Sequence, residues 1–312
     1  MSQSATARTA TLRGLIAVLL WSMLAALTAL TAEIPPFELA ALCFTIATGV
    51  GLAYAVATGE RLSALRRVPA LSWLLGIYGL LGYHVCYFIA LQNAPAMQAN
   101  LINYAWPLLI VLMSGLLPVR AGGERLRWWH VTGAMLGLAG TASIVAGGAT
   151  PDNGPNGAII GYAAAALAAL IWSSYSVLSR LFAAVPTVAV TGYCAATAIG
   201  AGIGHLLFER TIWPAGAAMW LAIAAQGLGP VGVAFYLWDH GMKHGDIRVL
   251  GAAAYCAPIL STLLLTATGS GTADGRLWWA ALLTTAGAML AGQQLIFGTD
   301  QRKTRAGEPD AR

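Results

Sequence analysis

The sequence predicts an all-α integral membrane protein with ten transmembrane helices in two inverted five-helix repeats around a central cavity. Three observations lead to this fold class. The 312 residues are 58% hydrophobic and 9% charged, with a mean hydropathy of +0.70, whereas charged residues approach a quarter of a typical soluble domain. Ten apolar runs are each long enough to cross a bilayer as a helix. Related short stretches also recur at a nearly constant spacing in the two halves of the chain.

The ten apolar runs are separated by short connections that contain prolines, such as Pro69, Pro95 and Pro186. Because continuous apolar runs are typical of helices, each run is predicted to be one span. The first repeat is predicted over 14–148, the second over 157–298, and 299–312 form a cytoplasmic tail. The first run has no credible cleavage site, so it is predicted to be retained. The predicted spans are 14–32, 38–58, 70–91, 98–117, 129–148, 157–179, 187–208, 215–239, 248–268 and 277–297.

The distribution of basic residues predicts the orientation. Of the 17 Lys and Arg residues, only Arg210 and Arg276 fall on one predicted side of the membrane, and the other fifteen fall on the opposite side. Loops rich in Lys and Arg remain cytoplasmic. We therefore expect a multi-pass protein of the bacterial inner membrane with both termini in the cytoplasm.

The two halves share a spaced pattern of tryptophan, tyrosine and proline. Because each half has an odd number of spans, the second copy must cross the membrane in the opposite direction. Inverted repeats are typical of secondary transporters, whose substrate site lies near the bilayer midplane between the repeats. The matching pairs, each 151 residues apart, are Trp21 and Trp172, Tyr104 and Tyr255, and Pro107 and Pro258.

Polar side chains cluster on one face of the predicted fourth span. Asn100, Asn103, Tyr104 and Pro107 follow an i, i+3, i+4, i+7 spacing. An unpaired amide in hydrocarbon costs several kcal/mol, so these asparagines need partners. They either line a pathway or hydrogen-bond neighbouring helices as structural contacts. Their clustering with aromatic rings favours the pathway.

The third span carries a second cluster of polar and aromatic residues, and Trp21 and Trp172 lie deep enough in their spans to form a cavity wall. These side chains can stack on an aromatic ring of a substrate and can hydrogen-bond its amino or carboxyl group. The two prolines Pro107 and Pro258 are predicted hinges. The predicted substrate-binding residues are Tyr78, Tyr83, His84, Tyr87, Asn100, Asn103, Tyr104, Trp106, Trp172, Trp238 and Tyr255.

Several classes of function find no support in the sequence. It contains neither a phosphate-binding motif nor a nucleophile–base set, so we expect no enzyme activity, and we expect no cofactor, metal or nucleic-acid partner. No Asp or Glu lies at mid-membrane depth, which favours facilitated movement, whereas His84 leaves proton-coupled drug or metabolite efflux as the alternative. A membrane-embedded enzyme or structural protein is a third hypothesis, against which the inverted repeat argues.

Small residues recur at four-residue spacing in the predicted fifth and tenth spans. Gly133 and Gly137 match Gly287 and Ala291, and such spacing lets helices approach closely. Packing within a monomer is the default interpretation, and a dimer face is the alternative.

Together these residues resemble the EamA-type members of the drug/metabolite transporter superfamily. The general resemblance covers nearly the whole chain and rests on the ten spans, the two halves, Pro107 and Pro258, and Gly123-Glu124 before the fifth span. The second half has Asp274-Gly275-Arg276 in place of the Gly-Glu pair. The stretch Asn103-Tyr104-Ala105-Trp106-Pro107, with Trp172 and the segment 238–246, looks like that of the aromatic amino acid exporters in this superfamily. This resemblance implies inner-membrane export of aromatic amino acids, with other neutral amino acids or flat cations as further substrates.

Overall fold

A computed structural model describes residues 3–114, 127–146, 154–182, 184–244, 250, 254, 256–269 and 274–291. These residues form helices and no strands, which confirms the predicted all-α class. Six helical stretches within the described residues are long and apolar enough to cross a membrane. They are Arg8–Ala29, Pro36–Thr58, Ala70–Asn93, Ala158–Ser179, Ala189–Phe208 and Ala217–Gly241.

The first half contains eight described helices. They are α1 (Gln3–Ser22), α2 (Leu24–Ala29), α3 (Pro36–Thr58), α4 (Ala70–Ile77), α5 (Tyr83–Asn93), α6 (Ala96–Asn103), α7 (Trp106–Ser114) and α8 (Trp128–Ala146).

The second half contains six described helices. They are α9 (Gly154–Ser179), α10 (Ala189–Phe208), α11 (Ala217–Leu228), α12 (Ala234–His244), α13 (Ala257–Ala267) and α14 (Gly275–Ala291). The predicted fourth, fifth, ninth and tenth spans thus correspond to α6 with α7, α8, α13 and α14.

Helix boundaries follow from the breakers in the sequence. Pro36 occupies the first turn of α3, where its missing N–H has no helical partner to lose. Gly59 ends the same helix with φ 73°, a left-handed conformation that suits glycine. The first helix begins at Gln3, well before the predicted start of the apolar run at 14, because residues 3–13 contain no proline or glycine to stop it.

Two π-helical segments interrupt spans that the sequence predicts as continuous. Tyr78–Gly82 joins α4 to α5, and Gly229–Val233 joins α11 to α12. The two segments are 151 residues apart, the same spacing as the repeated sequence pattern. π-Bulges are rare and often occur at functional sites. The wider turn also changes which side chains face the interior on either side of it.

The predicted fourth span is broken into two helices. The chain leaves the helix at Tyr104 and Ala105, and α7 then begins at Trp106 with Pro107 in its first turn. In the second half α13 begins at Ala257 with Pro258 in its first turn. These two starts are again 151 residues apart. The prolines explain both, because each lacks the N–H that would continue a preceding helix.

Helices from the two halves pack against each other in antiparallel pairs. Close approaches at glycine show this directly: a Cβ on Gly287 of α14 would lie 2.5 Å from the Gly133 carbonyl of α8, and one on Gly161 of α9 would lie 2.5 Å from Ala94 after α5. The small residues predicted to mediate close packing therefore do so within one chain. The other two pairs are α3 with α10 and α1 with α12.

Polar contacts show which connecting segments lie together at each of the two ends of the bundle. At one end Arg13 contacts His240, and Glu60 accepts a hydrogen bond from the backbone of Val188. At the other end Glu209 accepts hydrogen bonds from the backbone of Phe37 and Glu38. An interior cavity is lined by Asn103 and Trp106 on either side of the break between α6 and α7 and by Ala257 at the start of α13.

Candidate functional site

An interior cavity lined by residues of both halves lies in the bundle. The first half contributes ten of the lining residues, and the second half contributes Trp172, Phe235 and Ala257. The first-half residues are Val18, Trp21, Leu24, Tyr83, His84, Tyr87, Asn100, Asn103, Tyr104 and Trp106.

The structure brings eight of the eleven predicted substrate-binding residues to this cavity. Tyr78 is outside the lining: it is 45% exposed and its hydroxyl lies 2.9 Å from that of Ser174. Trp238 lies behind the lining, with its ring centroid 5.0 Å from that of Trp21. Tyr255 lies outside the described residues. Substrate contact by each of these side chains stays a prediction.

Asn100 is the centre of a buried hydrogen-bond chain that joins the two halves. The Tyr87 hydroxyl donates to its Oδ1 at 2.7 Å, and its Nδ2 donates to Ser261 Oγ at 2.7 Å. All three residues are at most 2% exposed. The chain connects α5, α6 and α13, so both sides of the amide are already used within the protein. Asn100 therefore makes hydrogen bonds between helices, which was the alternative to lining a pathway.

Asn103, one helical turn later, has a different environment. Its Nδ2 donates to the Tyr83 hydroxyl at 3.1 Å. Its Oδ1 is buried and accepts no hydrogen bond from the described part of the chain. A buried acceptor without a donor carries a desolvation cost of about 1–3 kcal/mol. This side chain therefore presents unused hydrogen-bonding capacity at the cavity.

His84 is buried at 1% exposure among aromatic rings. Its Nδ1 lies 2.9 Å from the Leu80 carbonyl. Because a carbonyl can only accept, Nδ1 carries the hydrogen, and Nε2 is the acceptor of the neutral ring. Its ring centroid is 4.8 Å from that of Phe44, 4.9 Å from that of Tyr83 and 5.9 Å from that of Phe235.

Aromatic rings form the apolar wall of the cavity. Trp21 and Trp172, which occupy matching positions in the two halves, meet edge to face with centroids 5.7 Å apart. Tyr83 packs 5.3 Å from Trp172 and stacks 5.6 Å from Tyr87. The Trp21 Nε1 donates to the Pro230 carbonyl at 3.1 Å, which ties this wall to the second π segment. A flat ring of a ligand fits between such side chains.

The lining residues that the sequence did not single out are apolar. Val18, Leu24 and Ala257 have no polar or aromatic group that would distinguish them from lipid-facing neighbours. Phe235 had a weak signal, because it stands 151 residues after His84. Among the described residues that line the cavity there is no Asp, Glu, Lys or Arg. Within the described residues no cluster of His, Cys, Asp and Glu could hold a metal ion.

Comparison with protein families gives one assignment for both halves. The sequence profile of the EamA-like transporter family matches residues 8–146 and again 159–293. The two matches cover most of the chain: the first ends with α8, and the second begins within α9.

Several characterised proteins are similar over nearly their full length. The aromatic amino acid exporter YddG of Ancylobacter novellus is 51% identical over 287 residues, covering 90% of this chain and 96% of that protein. The proteins of the same name from Salmonella typhimurium and Escherichia coli are 27% and 26% identical over 301 residues, and each alignment covers 91% of this chain and 97% of the relative. A solved crystal structure with 49% sequence identity matches with a TM-score of 0.73 over 91% of this chain and 97% of its own.

Proposed function

The chain belongs to the EamA-like transporter family, and we propose that it exports aromatic amino acids, together with other neutral amino acids, across the bacterial inner membrane. The family and the named relatives are transporters, so the chain is a transporter and not an enzyme. The observation that carries the substrate proposal is the cavity, where the rings of Trp21, Trp172 and Tyr83 adjoin the Asn103 amide. A side-chain ring would pack against the wall while the polar end of the substrate reaches the amide.

We propose alternating access between two inverted five-helix repeats as the mechanism. Three spacings of 151 residues support the repeats: the paired tryptophans, the π segments and the starts of α7 and α13. The double match to the family profile supports them as well. Substrate between two antiparallel halves becomes accessible to either side when one half rocks against the other.

The paired prolines are proposed hinges for this motion. Pro107 follows the break at Tyr104 and Ala105 and lies in the first turn of α7, and Pro258 lies in the first turn of α13. Helix breaks of this kind absorb backbone rotation with little loss of hydrogen bonding, since the bonds are already missing. The two hinges lie beside the cavity, because Trp106 and Ala257, their immediate neighbours, line it.

The termini are proposed to lie in the cytoplasm. The end of the bundle that holds Arg13, Glu60 and Val188 also carries the basic connection with Arg66 and Arg67. An excess of Lys and Arg at one end supports a cytoplasmic assignment of that end.

Eight of the predicted residues are proposed for direct substrate contact, because their side chains line the cavity. Trp238 is proposed to support Trp21 from behind. Transport is proposed to be facilitative, since the lining within the described part of the chain includes no carboxylate to carry a coupling proton.

Counterflow in proteoliposomes tests this function. Purified protein would be reconstituted with labelled phenylalanine, tryptophan, threonine or a quaternary cation, with and without a pH gradient. We expect exchange of the aromatic amino acids without a gradient. Failure to move any amino acid would refute the proposal. Strict dependence on the pH gradient would replace facilitation by antiport, with His84 as the proton-binding group.

A further inference from the structure

Several hydrogen-bond donors of the cavity already have partners inside the protein, whereas one buried acceptor has none in the described part of the chain. Four donor groups have internal partners at 2.7–3.1 Å: the Asn100 Nδ2, the Tyr87 hydroxyl, the Asn103 Nδ2 and the Trp21 Nε1. In contrast, the Asn103 Oδ1 is buried and receives no hydrogen bond from the described residues. The group that completes this site must therefore be a donor.

In the structure the Asn103 amide turns its Nδ2 toward the Tyr83 hydroxyl oxygen, at 3.1 Å, and Oδ1 lies on the other side of the amide. Asn103 is 2% exposed and lines the cavity. An N–H or O–H of a bound molecule can reach this oxygen, whereas a carboxylate would be repelled by it.

The charge of the surroundings favours the same kind of group. A bound carboxylate is stabilised best by a cation, yet none of the described residues that line the cavity is a Lys or Arg. An ammonium group needs acceptors and the negative faces of aromatic rings, which attract cations. The Tyr83 ring that bonds Asn103 packs 5.3 Å from Trp172, which in turn lies 5.7 Å from Trp21. The Asn103 Oδ1 acceptor thus lies beside a wall of aromatic rings.

We infer that the cavity recognises its substrate by the ammonium group, through Asn103 Oδ1, and that aromatic amines without a carboxylate bind in the same place. This inference rests on the proposed function, because it assigns the polar half of the substrate whose ring the wall accommodates. The carboxylate of an amino acid is then held only by neutral groups. Asn103 is the specificity-determining residue for the charge of the ligand.

Two analogues of phenylalanine distinguish recognition of the ammonium group from recognition of the carboxylate. Phenethylamine keeps the ring and the ammonium group but lacks the carboxylate, while 3-phenylpropionate keeps the ring and the carboxylate but lacks the ammonium group. The full chain in detergent micelles would be titrated with each compound at neutral pH. Binding is followed by the tryptophan fluorescence, since Trp21, Trp106 and Trp172 line the cavity.

We expect phenethylamine to bind about tenfold or more tightly than 3-phenylpropionate, because its ammonium group can donate a charge-assisted hydrogen bond to Asn103 Oδ1, whereas a carboxylate has only acceptors to offer that oxygen. Asn103→Leu should abolish this preference, and Asn103→Asp should increase it. Asn93→Leu is the matched control: this asparagine bonds the Ile89 carbonyl of its own helix and does not line the cavity, so the preference should persist. Size-exclusion profiles of each variant show whether it is folded.

Equal or reversed affinities of the two analogues would overturn the inference. So would the absence of saturable amine binding, or a preference that survives in folded Asn103→Leu and does not change in Asn103→Asp. Phenylalanine counterflow is measured on the same preparations. If phenylalanine is not exchanged but the amine binds through Asn103, the export proposal fails and the assignment of the ammonium site stands.

Discussion

Glu60 and Glu209 cap each other's helices at opposite ends of one antiparallel pair. Glu209, just after α10, accepts the backbone N–H of Phe37 in the first turn of α3 at 2.9 Å. Glu60, just after α3, accepts the backbone N–H of Val188 at the start of α10 at 3.1 Å. Phe37 and Val188 are 151 residues apart, the repeat spacing. Exchanging the two halves therefore reproduces the contact, which supports the proposed inverted repeat.

Removing either cap should lower the stability of the α3–α10 pair. A carboxylate at a helix N-terminus satisfies free backbone N–H groups and is favoured by the helix dipole, so Glu60→Gln should cost about 1 kcal/mol. Glu209→Gln should cost more, because Glu209 also accepts the Glu38 N–H at 3.0 Å and contacts His205. Thermal unfolding in detergent measures both. Glu33→Gln, at an exposed position, is the control and should unfold like the wild type; equal midpoints for all three variants would contradict the capping role.

The two buried asparagines of α6 should differ in what their loss affects. Asn100→Leu leaves the Tyr87 and Ser261 hydroxyls without their partner, at about 1–3 kcal/mol for each unpaired group. Asn103→Leu removes an oxygen that has no partner in the described chain, and only the Tyr83 hydroxyl loses a hydrogen-bond donor. We expect a clearly lower unfolding temperature for Asn100→Leu than for Asn103→Leu. The reverse order of unfolding temperatures would show that the Tyr87–Asn100–Ser261 chain contributes little.

Asn100 and Asn103 also show how much of the site can be predicted from the sequence. Their helical spacing placed both on one face, and that face does line the cavity. The spacing could not tell which amide is consumed by other residues, because Ser261 lies 161 positions from Asn100. Only the three-dimensional packing separates the structural amide from the available one.

Tyr78 and the π segments show where the sequence pattern is uninformative. The predicted third span is continuous in hydropathy, and nothing in its composition indicates that Tyr78–Gly82 is wound more widely than the rest. Tyr78 stands five residues before Tyr83, and five residues advance an α-helix by about 140° beyond a full turn. Aromatic character alone therefore does not decide which tyrosines reach the cavity. By contrast, the constant spacing of 151 singled out Pro107 and Pro258 as a pair, and each lies in the first turn of a helix, α7 or α13.

Replacing the paired prolines should slow transport without weakening substrate binding. Pro107→Ala supplies an N–H that can bond the carbonyl four residues earlier and close the break before α7. Pro258→Ala does the same before α13. We expect a severalfold fall in the counterflow rate for each, with unchanged ligand affinity in the fluorescence titration. Pro69→Ala, which alters the residue just before α4, serves as the control; wild-type rates in both hinge variants would refute the hinge proposal.

Close packing of α8 on α14 should make Gly287 intolerant of a side chain. A Cβ at this position would lie 2.5 Å from the Gly133 carbonyl and 2.8 Å from the Gly137 nitrogen. Because backbone atoms cannot yield easily, Gly287→Ala should destabilise the protein by about 1–3 kcal/mol. The matched control is Gly49→Ala in α3, where no atom lies within 4 Å and alanine favours the helix by about 1 kcal/mol. Equal unfolding temperatures of the two variants would contradict the described helix pairing.

Substrate is proposed to pass through the cavity between the two halves, and counterflow of labelled phenylalanine tests this pathway. Wild-type protein, Asn103→Ala, Tyr104→Ala and the control Asn93→Ala would be reconstituted at equal amounts in vesicles of one composition. We expect rapid exchange by the wild type and Asn93→Ala, and severalfold slower exchange by the two cavity variants at unchanged expression. Wild-type rates in both Asn103→Ala and Tyr104→Ala would contradict this proposal and place the pathway elsewhere in the protein.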